Sequence, residues 1–229
     1  MSSSTPALLE DLDRQHHLHP FTIHDELHAL GTHIIVRGEG CWLHDAHGRR
    51  LFDGLAGLWC VNVGYSCSAI VDAVEKQMRE LPYYCSFFNS TTEPAIALAA
   101  KLASLAPEGM RHVMFSNSGS EANETALKLI RAYHKLRGQS HRTKILSREF
   151  AYHGVTLATT SLTGLPGCYK PFDLPLPGFV QVPAPNAYAA NREGDAEVYA
   201  LWCLEETERI ILAEGPDTIA TGGRNPRLP

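Results

Sequence analysis

The sequence lacks a hydrophobic run long enough to cross a membrane, because no apolar stretch approaches the ~20 residues that a spanning helix needs. It also lacks an excess of positive charge, since its formal net charge is -5. That balance argues against binding to nucleic acid or to an anionic membrane. The N-terminus has neither the basic nor the apolar stretch of a secretory signal and soon reaches acidic Glu10 and Asp11. We therefore expect a cytoplasmic protein with no membrane and no nucleic-acid partner.

Motifs of several common sites are missing as well. The six cysteines form no Cys-x-x-Cys pair, which argues against a zinc ribbon or a thioredoxin-like site. There is no dinucleotide fingerprint, no Gly-x4-Gly-Lys-Ser/Thr phosphate loop and no Gly-x-Ser-x-Gly nucleophile elbow. Since the cysteines stand mostly beside apolar residues, we interpret them as small core residues in a reducing compartment. They are Cys41, Cys60, Cys67, Cys85, Cys168 and Cys203.

Histidine, by contrast, is abundant, and five of the 12 histidines lie between residues 15 and 28. His24 and His28 are four residues apart, a spacing that places two imidazoles on one helical face as zinc ligands. The zinc-protease pattern requires Glu directly after the first His, whereas Asp25 stands there. We therefore favour an N-terminal arm that packs on the surface and predict no metal site. A metalloprotein with a histidine-rich arm is the weakest alternative.

Alternating helix and strand patterns predict an α/β architecture. Because strands separated by helices build parallel sheets, we expect a mainly parallel sheet. An early hairpin turns at Asp45-Ala-His-Gly48, and Ser68 is a plausible cap of the first strongly periodic helix. Apolar periodicity predicts helices over 68–81, 94–106, 155–162 and 197–213, and from the turn after Ser116 to a glycine stop at Gly138. Strands are predicted at 112–116, at 144–147 and from Asp217, with a proline-rich loop over 164–187.

One turn carries the strongest chemical signal. The segment Ser116-Asn-Ser-Gly-Ser-Glu-Ala-Asn123 joins a predicted strand to a long helix, whose free N–H groups and positive dipole end face the turn. Gly119 permits close approach of the backbone, while Ser118 and Ser120 add hydroxyl groups. This arrangement suits a phosphate monoester. Serine is also favoured as a helix cap, so the local pattern leaves a simple capped helix as the alternative.

An aromatic segment, Tyr152-His-Gly154, follows the next predicted strand. In a doubly wound sheet this segment lies at the same carboxyl edge as the phosphate turn. A lone tyrosine is more often a core residue. Beside a phosphate turn, however, Tyr152 becomes a candidate to stack on the ring of a phosphorylated pyridine.

These two segments closely resemble those of the class III aminotransferases, which are fold type I enzymes that use pyridoxal 5'-phosphate (PLP). The resemblance continues through further motifs in the family's order, up to about Ala220. Its N-terminal motifs are most similar to the omega-amino acid:pyruvate branch. The matching segments are Ser118-Gly-Ser-Glu-Ala-Asn-Glu-Thr-Ala-Leu-Lys128, Tyr152-His-Gly154, Leu43-His-Asp-Ala-His-Gly-Arg-Arg-Leu-Phe-Asp-Gly54, Pro82-Tyr-Tyr-Cys-Ser-Phe-Phe88, His17-Leu-His-Pro-Phe21 and Gly57-Leu-Trp-Cys-Val-Asn-Val-Gly64.

The resemblance implies a domain plan and a way of holding the cofactor. Residues 1–60 would form an N-terminal arm and a small-domain segment, residues 61–220 part of the PLP-binding large domain, and residues 221–229 a tail unlike the family. Ser118, Gly119 and Ser120 would hold the PLP phosphate. Tyr152 would stack on its ring. The family's reaction moves an amino group from an amine or omega-amino acid donor to a keto acid acceptor such as pyruvate, with the cofactor as electron sink.

Three aromatic residues would belong to the substrate side of such a site. The resemblance assigns Phe21, Trp59 and Phe88 to the substrate pocket. Phe87 and Phe88 would also lie near the subunit interface, because the family's enzymes are homodimers whose active sites are shared between subunits.

The Schiff-base lysine of this chemistry has no match. In the family that lysine comes later in the chain than any matched segment, as do the Asp that contacts the pyridine nitrogen and a carboxylate-binding Arg. For the basic segment 221–229 we favour a frameshift or gene-model error over divergence. We therefore expect a truncated aminotransferase that is inactive alone, with a non-catalytic PLP-phosphate-binding or dimer-forming module as the alternative. The lysines present are Lys76, Lys101, Lys128, Lys135, Lys144 and Lys170.

Overall fold

A computed structural model describes residues 5–191 and 195–221. The chain divides into two compact units, one ending at Leu98 and the other beginning at Ala99. The division after residue 60 follows the domain plan of the family and stays a prediction. The predicted tail at 221–229 lies outside the described residues apart from Thr221, which ends a strand.

The first unit opens with two helices, α1 (Pro6–His16) and α2 (His24–Leu30). A three-stranded antiparallel sheet follows, with β1 (Ile35–Glu39), β2 (Trp42–Asp45) and β3 (Arg50–Phe52) in that order. The hairpin predicted around residues 45–48 is confirmed as β2–β3. Asp45 stabilises its turn, because the carboxylate is buried and accepts hydrogen bonds from the backbone N–H groups of His47 and Arg49 at 3.0 and 2.8 Å.

Three further helices follow the sheet: α3 (Ala56–Trp59), α4 (Ser68–Glu80) and α5 (Glu93–Leu105). The predicted helices over 68–81 and 94–106 therefore match α4 and α5 to within one residue at each end. The predicted cap of α4 is wrong by one position. Cys67 is the N-cap and makes no side-chain capping bond, while Ser68 is already helical.

The second unit is the α/β part of the chain. Its parallel sheet has the strand order β5-β4-β6, formed by β4 (Lys144–Arg148), β5 (Phe179–Val182) and β6 (Ile219–Thr221). The helices are α6 (Gly119–Leu136), α7 (Leu157–Leu162), α8 (Pro166–Tyr169) and α9 (Ala196–Glu214). The core is small, with Leu127, Ile145 and Leu162 packed together and joined by Ile130, Ala158, Phe179 and Ala220. The predicted mainly parallel α/β sheet is thus confirmed.

Two sequence predictions about strands differ from the structure. Residues 112–116 belong to no strand, although their apolar pattern predicts one. A strand needs a hydrogen-bonded neighbour, which the described residues do not supply there. Conversely, β5 lies inside the predicted loop over 164–187, where its four residues are hidden between prolines.

The cysteines also differ from their interpretation as core residues. Only Cys203 is buried, whereas Cys41 and Cys60 are exposed and the other three are intermediate; all six are free thiols. Within the described ranges, no helix is both long and apolar enough to cross a membrane.

Candidate functional site

The predicted phosphate turn is the start of α6. Ser118 is its N-cap, with extended backbone and a side-chain Oγ that accepts a hydrogen bond from the Glu121 N–H at 3.1 Å. Glu121 reaches back and accepts from the backbone N–H of Asn117 at 2.8 Å. A Cβ added at Gly119 would meet no atom within 4 Å, so the space beside this first turn is open. The turn therefore offers helical N–H groups and open approach, which are the features that an anion needs.

Ser120 has a different environment from Ser118. It is buried, and its Oγ accepts a hydrogen bond from the Val155 N–H at 3.0 Å. That bond uses a lone pair of the hydroxyl oxygen and leaves the hydroxyl proton to be donated elsewhere. A buried hydroxyl held in this way is suited to donate to a phosphate oxygen at the N-terminus of α6.

The segment that carries Tyr152 is fastened to α6 at a second point. The Asn123 side chain donates from Nδ2 to the His153 carbonyl at 2.7 Å, and the His153 N–H donates to Thr163 Oγ1 at 3.0 Å. Tyr152 itself keeps about half of its surface exposed, at 53%. The structure thus brings the phosphate turn and the Tyr152 segment together, as the sequence predicted, and leaves the ring accessible.

Gly154 explains how the two segments approach so closely. Its φ is +141°, and a Cβ built there would lie 2.5 Å from both Ser120 Oγ and Thr159 Oγ1. Only glycine fits this backbone without displacing a neighbour. The glycine of the Tyr-His-Gly segment is therefore a packing requirement of the site.

The threonine-rich helix α7 is stable because its hydroxyls are satisfied internally. Thr159, Ser161 and Thr163 are fully buried. Thr159 Oγ1 accepts from the Thr156 N–H at 3.0 Å, and Ser161 Oγ donates to the Leu157 carbonyl at 2.7 Å. These bonds support the Tyr152 segment and offset the low helix propensity of threonine. The helix predicted over 155–162 is thus confirmed as α7, although its internal hydroxyl bonds were not predicted.

His153, in the same segment as Tyr152, has a shifted pKa. Its partial burial lowers the pKa of the imidazole below the ordinary value of 6.5, because burial disfavours the charged form. The ring is therefore mainly neutral at neutral pH.

The three predicted pocket residues lie in the first unit and share an unusual backbone. Phe21, Trp59 and Phe88 have φ values of +50°, +65° and +54°. Positive φ is strained for bulky residues, and such strain is concentrated at functional sites. Their side chains are strongly exposed, at 75%, 76% and 94%. The Phe87 ring lies 6.2 Å from that of Phe88, centroid to centroid.

Trp59 ends a turn of left-handed backbone that runs from Ala56, with φ values of +48°, +57°, +60° and +65°. Asp53 holds the start of this turn, since its carboxylate accepts from the Leu55 and Gly57 N–H groups at 3.1 and 2.8 Å and from Tyr65 Oη at 2.6 Å. The hydrogen bond from Tyr65 lowers the pKa of Asp53 below its usual range. A cavity of about 460 Å³ follows, lined by residues 60–67, Ile70 and Val71.

Two lysines of the second unit, Lys128 and Lys144, lie in its regular elements. Lys128 lies within α6, ten residues after Ser118. Lys144 is at the amino end of β4, where its Nζ donates to the Glu214 carboxylate and carbonyl at 2.7 and 2.6 Å. This ion pair gives Lys144 a structural role.

The chain has an α/β fold with a helix that begins at the predicted phosphate turn, and comparison with known proteins identifies its family. The sequence model of the family described as Aminotransferase class-III matches residues 24–221. The chain is 41% identical over 209 residues to putrescine--pyruvate aminotransferase of Pseudomonas aeruginosa, covering 91% of this chain and 46% of that protein. The chain belongs to the class III aminotransferases.

Solved structures agree with this assignment. The (S)-enantioselective omega-transaminase of Thermomicrobium roseum matches with a TM-score of 0.89 and 40% identity, over 96% of this chain and 49% of that one. The omega transaminase of Pseudomonas jessenii, solved in complex with PMP, matches with a TM-score of 0.89 and 42% identity, over 92% of this chain and 47% of that one. The predicted PLP-dependent transferase fold is confirmed. The chain spans about half the length of these relatives.

Proposed function

We propose that this chain supplies the phosphate- and ring-binding part of a PLP-dependent aminotransferase site. The observation that carries the proposal is the bond from the Val155 N–H to Ser120 Oγ at 3.0 Å, which joins the start of α6 to the segment that bears Tyr152. A phosphate monoester on a flat ring needs both elements side by side. The alternative, in which the whole protein is a non-catalytic module, is not favoured, because the relatives compared above are named as aminotransferases or transaminases.

In this proposal each residue has a defined task. The N–H groups of Gly119 and Ser120 at the start of α6, with the Ser120 hydroxyl, bind the phosphate. The Ser118 side chain accepts the Glu121 N–H and so holds the turn in shape. Tyr152 covers one face of the pyridine ring. When bound, PLP supplies the electron sink that allows a proton to be removed next to the amino group.

The donor is an amine or omega-amino acid and the acceptor is pyruvate or a related keto acid. Supporting relatives are a putrescine--pyruvate aminotransferase and omega-transaminases. Phe21, Trp59 and Phe88 would line the substrate pocket, and their exposed rings suit apolar parts of an amine. We propose a homodimer, with Phe87 and Phe88 near the subunit interface.

We further propose that the chain alone binds PLP without catalysing transfer. None of its lysines matches the Schiff-base position, so cofactor binding would rest on the phosphate and the ring. PLP held in this way is displaced by inorganic phosphate and leaves no covalent trace after reduction.

The test is a titration of the purified 229-residue chain with PLP, followed by borohydride reduction and peptide mass spectrometry. We expect binding that inorganic phosphate competes away, and no reduced lysine adduct within the site. Ser120→Ala should weaken binding about 10- to 150-fold, the value of one hydrogen bond to a charged group. Ser104→Ala, in which a hydroxyl of α5 that donates to the Lys101 carbonyl is lost, is the matched control.

Two results would count against the proposal. Binding that phosphate does not displace, or that Ser120→Ala leaves unchanged, would remove the phosphate site. A specific reduced lysine with measurable transfer of an amino group to pyruvate would instead refute the inactivity of the chain alone.

A further inference from the structure

The histidine-rich arm contains a cluster that the aminotransferase site does not use. His17 Nδ1 lies 3.0 Å from Asp13 Oδ1, and His19 Nε2 lies 3.0 Å from the same oxygen. The three ligand-type atoms all lie within 4.8 Å of one another. These are not the histidines that the sequence pattern favoured, since the pair at His24 and His28 makes an edge-on ring contact at 6.2 Å instead.

The local sequence explains why these groups converge. Asp13 and His17 are four residues apart, at the end of α1, and so share one face of the helix. His17 and His19 are two residues apart in the chain that leaves the helix, and their rings lie 4.1 Å apart at a tilt of 44°. The pattern Asp-x3-His-x-His therefore brings two imidazoles to one carboxylate within seven residues.

Neighbouring residues fix the orientation of the cluster. Thr32 Oγ1 donates to Asp13 Oδ2 at 2.6 Å and so fixes the carboxylate, whose Oδ1 contacts both imidazoles and whose Oδ2 also lies 3.0 Å from His19 Nε2. The His19 N–H donates to His24 Nε2 at 3.2 Å and holds the backbone of the second ligand. Asp13 and His19 are largely buried, with 15% and 21% of their side chains exposed, whereas His17 is 62% exposed. The cluster thus has two largely buried ligand side chains held by hydrogen bonds, and its side at His17 is open to solvent.

We propose that Asp13, His17 and His19 form a binding site for a divalent transition-metal cation of the zinc type. Two imidazole nitrogens and one carboxylate oxygen are a ligand set that such cations favour, whereas magnesium and calcium prefer oxygen ligands alone. Three protein ligands leave one coordination position for water on the exposed side of His17. The hydrogen bond from Thr32 then acts as the support that orients a ligating carboxylate.

Binding requires no oxidation and no net loss of a proton from neutral histidines. A carboxylate only accepts hydrogen bonds, so each imidazole now carries its proton on the nitrogen that faces Asp13. When the cation binds, that nitrogen becomes a ligand and the proton moves to the other ring nitrogen of the same imidazole. The cation would then link the end of α1 to the segment that leads to Phe21.

The experiment uses the full purified chain, stripped of metal and titrated with Co2+ and Zn2+. Cobalt bound by nitrogen and oxygen ligands gives weak visible bands, whereas cobalt bound by the free cysteines gives an intense near-ultraviolet band, so the two kinds of site are separated. We expect one cobalt per chain with the visible bands alone at low metal concentration, displaced by zinc. His17→Ala and His19→Ala should each weaken binding at least about 100-fold, and Thr32→Val about 10- to 100-fold.

His28→Ala is the matched control, because it removes an exposed histidine of the same arm that lies outside the cluster. Its affinity should equal that of the parent chain. Equal affinity of His17→Ala, His19→Ala and His28→Ala would overturn the proposal, as would cobalt bound only through thiolates or no binding below about 100 μM. Circular dichroism without metal identifies any variant that has failed to fold. If a histidine variant fails to fold, the metal affinity of Thr32→Val tests the proposal instead. An affinity equal to that of the parent chain would then overturn it.

Discussion

Ser120 and Val155 are 35 residues apart in sequence, and the backbone N–H of Val155 donates to Ser120 Oγ at 3.0 Å. This bond connects the first turn of α6 to the loop that carries Tyr152. It places the Ser120 hydroxyl, whose hydrogen this bond does not use, beside the N–H groups of a helix N-terminus. Much of the proposed chemistry depends on this short link, and its neighbours provide the first prediction.

Replacing Gly154 with Ala should lower the free energy of unfolding by about 1–3 kcal/mol, because the new Cβ would overlap neighbouring atoms in strained backbone. The overlapping atoms are Ser120 Oγ and Thr159 Oγ1, each 2.5 Å from the ideal Cβ position. Urea unfolding followed by circular dichroism measures the change. Gly167→Ala is the control, since nothing lies within 4 Å of its added Cβ. Equal effects of the two substitutions would contradict the packing role of Gly154.

The left-handed turn before Trp59 gives a prediction of opposite sign. Ala56 has a φ of +48°, so Ala56→Gly should raise the free energy of unfolding by about 0.5–1 kcal/mol, since glycine adopts this backbone without steric cost. The control is Ala126→Gly in the right-handed interior of α6, where the same change should lower it by about 1 kcal/mol. Urea unfolding of both variants decides the sign. Loss of stability in Ala56→Gly would show that the turn is not left-handed in solution.

Sequence reasoning located most helices because their signals are local. The apolar period and the glycine stop predicted α6 and its end near Gly138, and α4, α5 and α9 were found to within one residue at each end. Strands were less predictable, because pairing depends on neighbours far along the chain. The four residues of β5 lie between prolines, yet they pair in parallel with β4. The segment 112–116 has the composition of a strand but no partner within the described residues.

The same difference between local and long-range signals applies to the candidate site. Ser118, Gly119, Ser120 and Tyr152 were chosen from short motifs, and the structure places the turn at the start of a helix. The support of Asn123 was missed, because its hydrogen bond to the His153 carbonyl spans 30 residues. No periodicity or motif encodes such a long-range bond. An asparagine five residues after a cap was the only local sign.

Tyr65 should control the acidity of Asp53. In Tyr65→Phe the hydrogen bond of 2.6 Å is lost, so the pKa of Asp53 should rise towards its ordinary value of 3.8. The pKa of Asp53 is depressed in the folded state, so this bond stabilises the fold at pH values above the unfolded pKa. The stabilisation is lost as the pH falls through the folded pKa. The stability difference between parent and variant should therefore be present at neutral pH and shrink in strong acid.

Carboxyl NMR titration of Asp53 measures the change in its pKa. Urea unfolding at about five pH values between pH 7 and pH 2 measures the change in stability. Tyr188→Phe is a suitable control, since Tyr188 is an exposed tyrosine in the other unit. A pKa of Asp53 that stays depressed in Tyr65→Phe would assign the shift to the backbone N–H groups of Leu55 and Gly57 instead.

His153 should make the second unit sensitive to mild acid. Its folded pKa lies below the unfolded value of 6.5 because of burial, so the unfolded chain binds the proton more readily. Stability must therefore fall as the pH drops through 6.5 towards the folded pKa, and level off below it. His153→Gln removes this proton while keeping the backbone bonds to Asn123 and Thr163. The parent chain should thus lose stability relative to the variant as the pH is lowered.

The measurement is the difference in unfolding free energy between the parent chain and His153→Gln at pH values from about 8 to 5, a range that brackets the ordinary histidine pKa. The other histidines are the same in both proteins and cancel in this difference. His141→Gln, at an exposed position, controls for the substitution itself. A parent chain that gains stability relative to His153→Gln on acidification would mean that the imidazole meets a negative partner in solution. The interpretation of the His153 imidazole as a neutral ring beside Tyr152 would then be wrong.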